Sequence, residues 1–210
     1  NEKKISSKLI SKEICKLPED KFVFCCFNSH QKINPEIFDT WIQILRKTDN
    51  SILWILKDNN FSENNLKLYL TKNGIDPNRL ILADHLKLED HLQRLKHADL
   101  FLDTYPYNAH TTCSDALRIG IPVLTLKGRS FASRVASSLL NTINLQELIT
   151  TNFDDYKKLA IKIYNEKDYL IELKNKINDN KKNSNLFKVE VYTKNIEKAY
   201  KTIFKNYLDG

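Results

Sequence analysis

Between Asp103 and Thr125 the chain carries a set of groups able to hold a nucleotide: His110, Thr111, Thr112 and Asp115 at the junction of a loop and a short helix that stops at Gly120. A helix N-terminus presents unpaired N–H groups and a partial positive charge, which suits phosphate. Two threonines add hydroxyl donors there. The carboxylate of Asp115, one turn further in, is placed to accept from ribose hydroxyls. The same residue types also serve plain capping and dipole compensation, so the local pattern leaves both roles open.

Such a junction needs a scaffold, and the apolar runs supply one. Phe22–Phe27, Ser51–Leu56, Arg79–Ala83, Asp99–Leu102 and Pro122–Thr125 read as short buried strands. Helices are expected between them: one opened by Asn34-Pro35, one over 62–73 stopped by Gly74, one over Leu88–His97, one over 112–119, and one over Phe131–Leu140. Strict alternation predicts an α/β fold, a Rossmann-like parallel sheet with helices on both faces and right-handed crossovers. Ligands of such sheets bind beyond the carboxyl ends of the strands. The expected division is a leading helical segment over 1–20, a nucleotide-binding lobe over 21–142, and a C-terminal helical segment over 143–210. That last segment ends in a long helix from 185 to 208, rich in Phe and Tyr.

Composition narrows the function classes. The chain has 210 residues, 41% hydrophobic and 28% charged, with a formal net charge of +7. No apolar run approaches the length of about 20 residues that spans a membrane. No aromatic–basic recognition pattern accompanies the charge, so nucleic-acid binding is not expected; a basic field still favours an anionic ligand. Cys15, Cys25, Cys26 and Cys113 show no CxxC spacing and are expected to be buried thiols in a reducing, cytoplasmic setting. No ligand set for a metal is apparent. The absence of methionine points to a piece of a longer polypeptide. G-x-S-x-G and G-x-G-x-x-G are both absent, which disfavours hydrolase and dinucleotide oxidoreductase readings.

Several motifs in order resemble one family. Phe24-Cys-Cys-Phe-Asn28 through Lys32-Ile-Asn-Pro35, Ile52–Leu56, Asp99–Thr104, Tyr107–Thr112, Ser114–Leu117, Gly120–Leu124, Phe131–Ala136 and Asn183–Phe187 together resemble the C-terminal catalytic lobe of the O-linked N-acetylglucosamine transferases, with SPINDLY-like members nearest. The resemblance spans roughly residues 18 to 208. It implies one lobe of a GT-B enzyme, an inverting glycosyltransferase that moves a sugar, N-acetylglucosamine in the first instance, from a UDP-sugar to Ser or Thr of proteins. It also implies partners in the parent chain, an N-terminal catalytic lobe and tetratricopeptide repeats, and neither a metal nor another cofactor. By the same resemblance Lys32 contacts the diphosphate and acts as the catalytic cation. Ser29 stands where relatives carry a longer polar residue, His110, Thr111 and Thr112 hold phosphate, and Asp115 holds ribose. His91 and Arg94 line the base pocket. His85 offers backbone contacts, and Lys87 substitutes for a lysine that relatives have at the place of Leu88. Asp103 and Asn108 are expected to shape the loop, Tyr105 and Tyr107 to face the sugar or pack, and Phe131, Arg134 and Val135 to hold the following helix. The alternatives are a lobe using GDP-fucose for protein O-fucosylation, and a non-catalytic nucleotide-binding or interaction module.

Overall fold

The computed structural model describes residues 3–210; Asn1 and Glu2, the start of the expected leading helix, lie outside the described residues. In chain order the elements are β1 (Phe22–Cys26), α1 (Pro35–Leu45), β2 (Ser51–Leu56), α2 (Asn60–Lys72), β3 (Leu80–Ala83), α3 (Leu88–Leu95), β4 (Leu100–Leu102), α4 (Thr111–Ile119), β5 (Val123–Leu126), α5 (Val135–Thr142), β6 (Ile149–Thr150), α6 (Phe153–Asn165), α7 (Lys167–Asn183) and α8 (Val189–Leu208). All strand pairs are parallel, in the order β3-β2-β1-β4-β5-β6. The order reverses between β1 and β4. That reversal opens a crevice at the carboxyl ends of these two strands, where ligands of such sheets bind.

The strands form where short apolar runs can be covered on both faces. Val23, Phe24, Cys25 and Cys26 are fully buried, as are Leu53, Trp54 and Ile55 beside them. The α1 helix begins where expected: Asn34 Oδ1 accepts from the Ile37 N–H at 2.9 Å, and Pro35 occupies the first helical position. Its face of Ile37, Trp41, Ile44 and Leu45 packs on the sheet and on α6. The α4 helix ends at Gly120, whose φ of +95° suits glycine; a Cβ there would also lie 2.9 Å from Asn178 Oδ1.

Two expectations are corrected. The described part of the leading segment, residues 3–20, is not helical; it is an extended strap with a turn at Lys16, where φ is +58°. Tertiary contacts set its conformation. Ile10 and Leu17 are buried, Ser6 N–H donates to the Glu89 carbonyl at 3.1 Å, and His97 Nε2 donates to the Ile10 carbonyl at 2.6 Å. The run Ile5-Ser-Ser7 is also a poor helix former. In addition, residues after 143 are not wholly helical. Ile149–Thr150 extends the sheet as β6, after a 3-10 turn over Gln146–Leu148. A two-residue strand carries too few positions for alternation to show.

The expected long C-terminal helix is present, starting at Val189 rather than 185, and none of its residues is buried. Val189, Tyr192, Tyr200, Ile203, Phe204, Tyr207 and Leu208 are exposed along it. By contrast α6 is part of the body. Its Tyr156 is fully buried, donates to the Asp103 carbonyl at 2.9 Å, and sits 3.4 Å from Trp41 Nε1. Removing that hydroxyl leaves a buried carbonyl and a buried indole N–H without partners. Tyr156→Phe is therefore expected to destabilise the fold by about 1–3 kcal/mol, read as a lowered urea midpoint with an unchanged m-value; an unchanged midpoint would refute this role.

Candidate nucleotide site at the sheet crevice

The crevice is organised by Asp103, the residue that follows β4. It is fully buried. Its Oδ1 accepts from the Thr104 N–H at 2.8 Å, the Ala109 N–H at 2.6 Å and Asn28 Nδ2 at 3.4 Å; its Oδ2 accepts from Thr125 Oγ1 at 2.6 Å. These bonds close the 103–110 loop on itself and tie it to the ends of β1 and β5. Burial pushes the carboxyl up from 3.8 to about 7, against the pull of its four donors.

Asn28, just beyond β1, is the second fixed point. Its Nδ2 also donates to Thr104 Oγ1 at 2.8 Å, and its Oδ1 accepts from Thr112 Oγ1. Thr104 Oγ1 in turn donates to the Tyr107 carbonyl at 2.6 Å, and Asn108 Nδ2 to the Thr104 carbonyl at 2.8 Å. Asn34 Nδ2 reaches the Tyr105 carbonyl at 2.8 Å, beside the cis Tyr105–Pro106 bond. The start of α4 is thus pinned to two neighbouring strand ends.

The helix start itself is open. His110 occupies the N-cap position of α4 with no side-chain cap, so the first-turn N–H groups keep no side-chain acceptor. Thr111 is exposed and Thr112 half-buried. The Thr112 hydroxyl hydrogen is directed to Asn28, which leaves its backbone N–H and the Thr111 hydroxyl as the donors facing outward. The His110 ring lies edge-on to Tyr107 and Phe131, and its Nε2 is buried without a partner among the described residues.

Lys32 comes from the 3-10 turn His30–Lys32 after β1. Its Nζ donates to the Asn108 carbonyl at 2.9 Å and stands 3.8 Å from the Tyr107 ring centroid. Burial lowers its pKa, and Asp103 opposes that shift. The ammonium is therefore delivered to the loop that leads into α4. Ser29 is exposed at the start of the turn and makes no side-chain capping bond. His30, not singled out by the residue pattern, donates from Nε2 to the Leu56 carbonyl at 2.6 Å and holds the turn against β2.

The third group sits on the loop after β3 and on α3. Arg94 is nearly fully buried: Nη1 donates to the Asp84 carbonyl, Nε and Nη2 point to His91 Nδ1 at 3.3 and 3.2 Å, and the guanidinium lies over the rings of Phe27 and Trp54. It fixes the loop and the imidazole. His91 Nδ1 then acts as acceptor, so the neutral ring carries its proton on Nε2. Burial, with Arg94 nearby, lowers the His91 pKa to about 4. His85 and Lys87 are exposed on the loop, and Lys87 stands at the N-cap position of α3 without a side-chain bond. Asp115 is buried on α4, where Lys3 of the leading strap forms an ion pair with it. His91 and Asp115 stand on α3 and α4, two helices that pack against each other.

At the switch-point crevice the structure brings Lys32 to the loop that leads into α4 and packs α3, which carries His91, on α4, which carries Asp115; Ser29, His85 and Lys87 are exposed and bond to none of these side chains among the described residues. Asn28 and Asp103 organise the crevice, and they were legible only as a motif residue and a loop former. Among the described residues no group of three or more His, Cys, Asp or Glu could hold a metal ion.

The Asp103 shift carries a pH dependence. Its folded pKa is raised, so between about 4 and about 7 the folded chain holds a proton that the unfolded chain has lost. Its contribution is fully present below that window and is lost as pH rises through it. His91, lowered instead, contributes the opposite slope, but it is unchanged in an Asp103 variant. Asp103→Asn is expected to remove the Asp103 component, so the stability gap to the wild type narrows as pH rises from 4 to 7. Urea unfolding across that range checks it; a constant gap would mean the carboxyl does not titrate there.

Residues 1–196 match glycosyl transferase family 41. The chain is 35% identical over 202 residues to the UDP-N-acetylglucosamine–peptide N-acetylglucosaminyltransferase of Caenorhabditis elegans, covering 96% of this chain and 18% of that protein. It is 34% identical to the probable transferase SEC of Arabidopsis thaliana, covering 92% of this chain and 20% of that protein. The chain therefore spans about a fifth of the length of these curated relatives. Among solved structures, the Thermobaculum terrenum O-GlcNAc transferase K341M mutant superposes with a TM-score of 0.84 at 29% identity, over 89% of this chain and 36% of that one. The parallel sheet, the crevice at its switch point and these matches agree: the chain belongs to glycosyl transferase family 41, as a lobe of the GT-B fold.

Proposed function

We propose that this chain is the donor-binding lobe of an inverting protein O-glycosyltransferase that moves N-acetylglucosamine from a UDP-sugar to serine or threonine hydroxyls. The observation that carries the reading is the convergence of a lysine ammonium and an uncapped helix N-terminus on one crevice, with a buried carboxylate one turn further along the helix.

In this reading the diphosphate lies at the start of α4. It accepts from the first-turn N–H groups and the Thr111 hydroxyl, with His110 and Thr112 shaping the cradle and Ser29 at its rim. Lys32 stands at the same place. As the acceptor oxygen bonds to the anomeric carbon on one face, the bond to the diphosphate breaks on the other and the configuration inverts. Negative charge grows on the leaving phosphate, and the Lys32 ammonium stabilises it most in the transition state. The acceptor proton goes to a base that no residue of this chain is assigned to supply. Asp115 accepts from the ribose hydroxyls. The base lies against His91, whose Nε2–H has no partner among the described residues, and against the backbone near His85 and Lys87, with Arg94 holding that wall in place.

The acceptor side would come from the rest of the parent protein. The relatives' greater length supports an N-terminal catalytic lobe and tetratricopeptide repeats as partners, and the exposed apolar residues of α8 suit a companion lobe. No helix among the described residues is long and apolar enough to cross a membrane. We place the protein in the cytoplasm, a setting in which its four free thiols persist.

Calorimetric titration with UDP and GDP tests the donor. UDP is expected to bind and GDP to bind more weakly, with Asp115→Ala abolishing binding; a GDP preference would move the donor to GDP-fucose, and no binding to the intact parent would end the reading. Lys32→Ala in the intact parent is expected to lower kcat about 100-fold with a much smaller loss of UDP affinity, and equal turnover would exclude its role. Lys3→Ala frees the Asp115 carboxylate and is expected to tighten UDP binding.

A further inference from the structure

Beside the proposed donor crevice lies a groove lined by Lys127, Arg129 and Arg134, none of them assigned to the donor above. The stretch 116–146 contains Arg118, Lys127, Arg129 and Arg134 and no carboxylate. Arg118 is occupied, its guanidinium 4.3 Å from the Phe187 ring. Lys127, Arg129 and Arg134 are exposed, and none of them takes part in an ion pair or a side-chain hydrogen bond among the described residues. Of the carboxylates on the elements that follow, Asp154 pairs with Lys157 at 2.9 Å and Glu147 with Lys176 at 2.5 Å, while Asp155 accepts from Asn152 Nδ2 at 2.7 Å and keeps its charge. Asp103 is buried beneath.

The backbone that carries these cations is fixed. Gly128 N–H donates to the Ser133 carbonyl at 2.9 Å, Arg134 N–H to the Phe131 carbonyl at 3.0 Å, and Ser130 Oγ lies 2.9 Å from Ser133 Oγ. A Cβ at Gly128 would stand 2.5 Å from Ser133 Oγ and 2.9 Å from the Tyr105 ring, so only glycine fits this approach. The loop is bonded outward on both sides, Asn108 N–H to the Ala132 carbonyl at 2.9 Å and Lys127 N–H to the Thr150 carbonyl at 2.8 Å. Phe131, 76% exposed, projects from the same loop and its ring meets the edge of His110. Two adjoining open hollows share Lys127: one of about 730 Å³ running along α5 past Phe131 and Arg134, one of about 560 Å³ reaching Arg129 and Tyr105. Together they exceed the space that a single small ligand fills.

We propose that this groove docks the acceptor polypeptide through carboxylate side chains flanking the modified serine or threonine, with Phe131 as the apolar contact next to the donor site. The proposal rests on the transferase reading above and deepens it by naming the acceptor class. An acidic segment complements three cations that are unpaired among the described residues, and the lining of the two hollows, from Arg129 past Phe131 to Thr142, offers an extended chain a continuous run of contacts. Preorganisation of the loop removes an ordering cost from docking. Exposed charge pairs add modestly one by one and give partner choice and salt dependence collectively.

The test uses the intact parent protein and two fluorescent peptides that differ only in having glutamates or glutamines around one serine. Binding is read by fluorescence anisotropy, which needs no turnover, while UDP calorimetry reports separately on the donor site. The glutamate peptide is expected to bind about tenfold more tightly than the glutamine peptide, with the preference shrinking as salt is added. Replacing Lys127, Arg129 and Arg134 together by Gln should bring the two peptides to parity and leave UDP affinity unchanged. Lys127→Gln and Arg129→Gln singly, each expected to lose part of the preference, keep the question answerable if the triple variant misfolds. Equal binding of both peptides by the wild type, a preference that survives all three replacements, or tighter binding of oligothymidylate than of the glutamate peptide would each overturn the proposal. Absence of UDP binding would overturn the donor reading and leave the peptide result standing on its own.

Discussion

One buried carboxylate holds this lobe's working end together. Asp103 takes hydrogen bonds from its own loop, from β1 through Asn28 and from β5 through Thr125, while its carbonyl takes one from Tyr156 of α6. An isolated buried carboxyl is costly; here the cost is offset by donors from three strand ends. Those donors can reach it only if the strands, the loop and the helix are all in register. The geometry of the crevice is therefore coupled to the geometry of the core.

The groups proposed to face the ligand are arranged on that frame in two tiers. Lys32 and the α4 start face the place where phosphate charge would sit, and both are set by the Asn28–Thr112 and Lys32–Asn108 bonds. His91 and Asp115 form the other tier, set by Arg94 and by the packing of α3 on α4. Arg94 contributes through the wall it holds rather than through a free guanidinium. Its burial against Phe27 and Trp54 explains why an arginine, flat and able to donate in several directions, serves there. Lys3 adds a feature of the leading strap: a cation placed on Asp115, the carboxylate proposed to hold ribose.

Much of this was legible in the residues. Five strands and their alternating helices showed as short apolar runs with caps and glycine stops, because burial on both faces leaves no polar alternation to confuse the pattern. The α4 start was legible because threonines and a histidine at a helix junction carry an unusual density of polar groups. What stayed hidden depends on distance in the chain. Asn28 and Thr112 are 84 positions apart, and no local periodicity marks such a bond. The leading segment was expected to be helical, yet the conformation of its described part, residues 3–20, is dictated by His97 and Glu89 across α3. β6 was missed because two residues cannot display a period.

The sheet's outer strands carry a consequence for handling the lobe outside its parent. β6 has two residues and β3 four, so neither margin offers a long ladder of unpaired backbone groups to another chain. Strand-to-strand stacking, the usual route from a parallel sheet to insoluble material, is thereby curtailed. The apolar stripe of α8 has no such protection, and its side chains, unlike backbone ladders, associate reversibly and with weak directional demands. Crowding of separated lobes would then gather them through helices and leave the sheets intact, a state that dilution can undo.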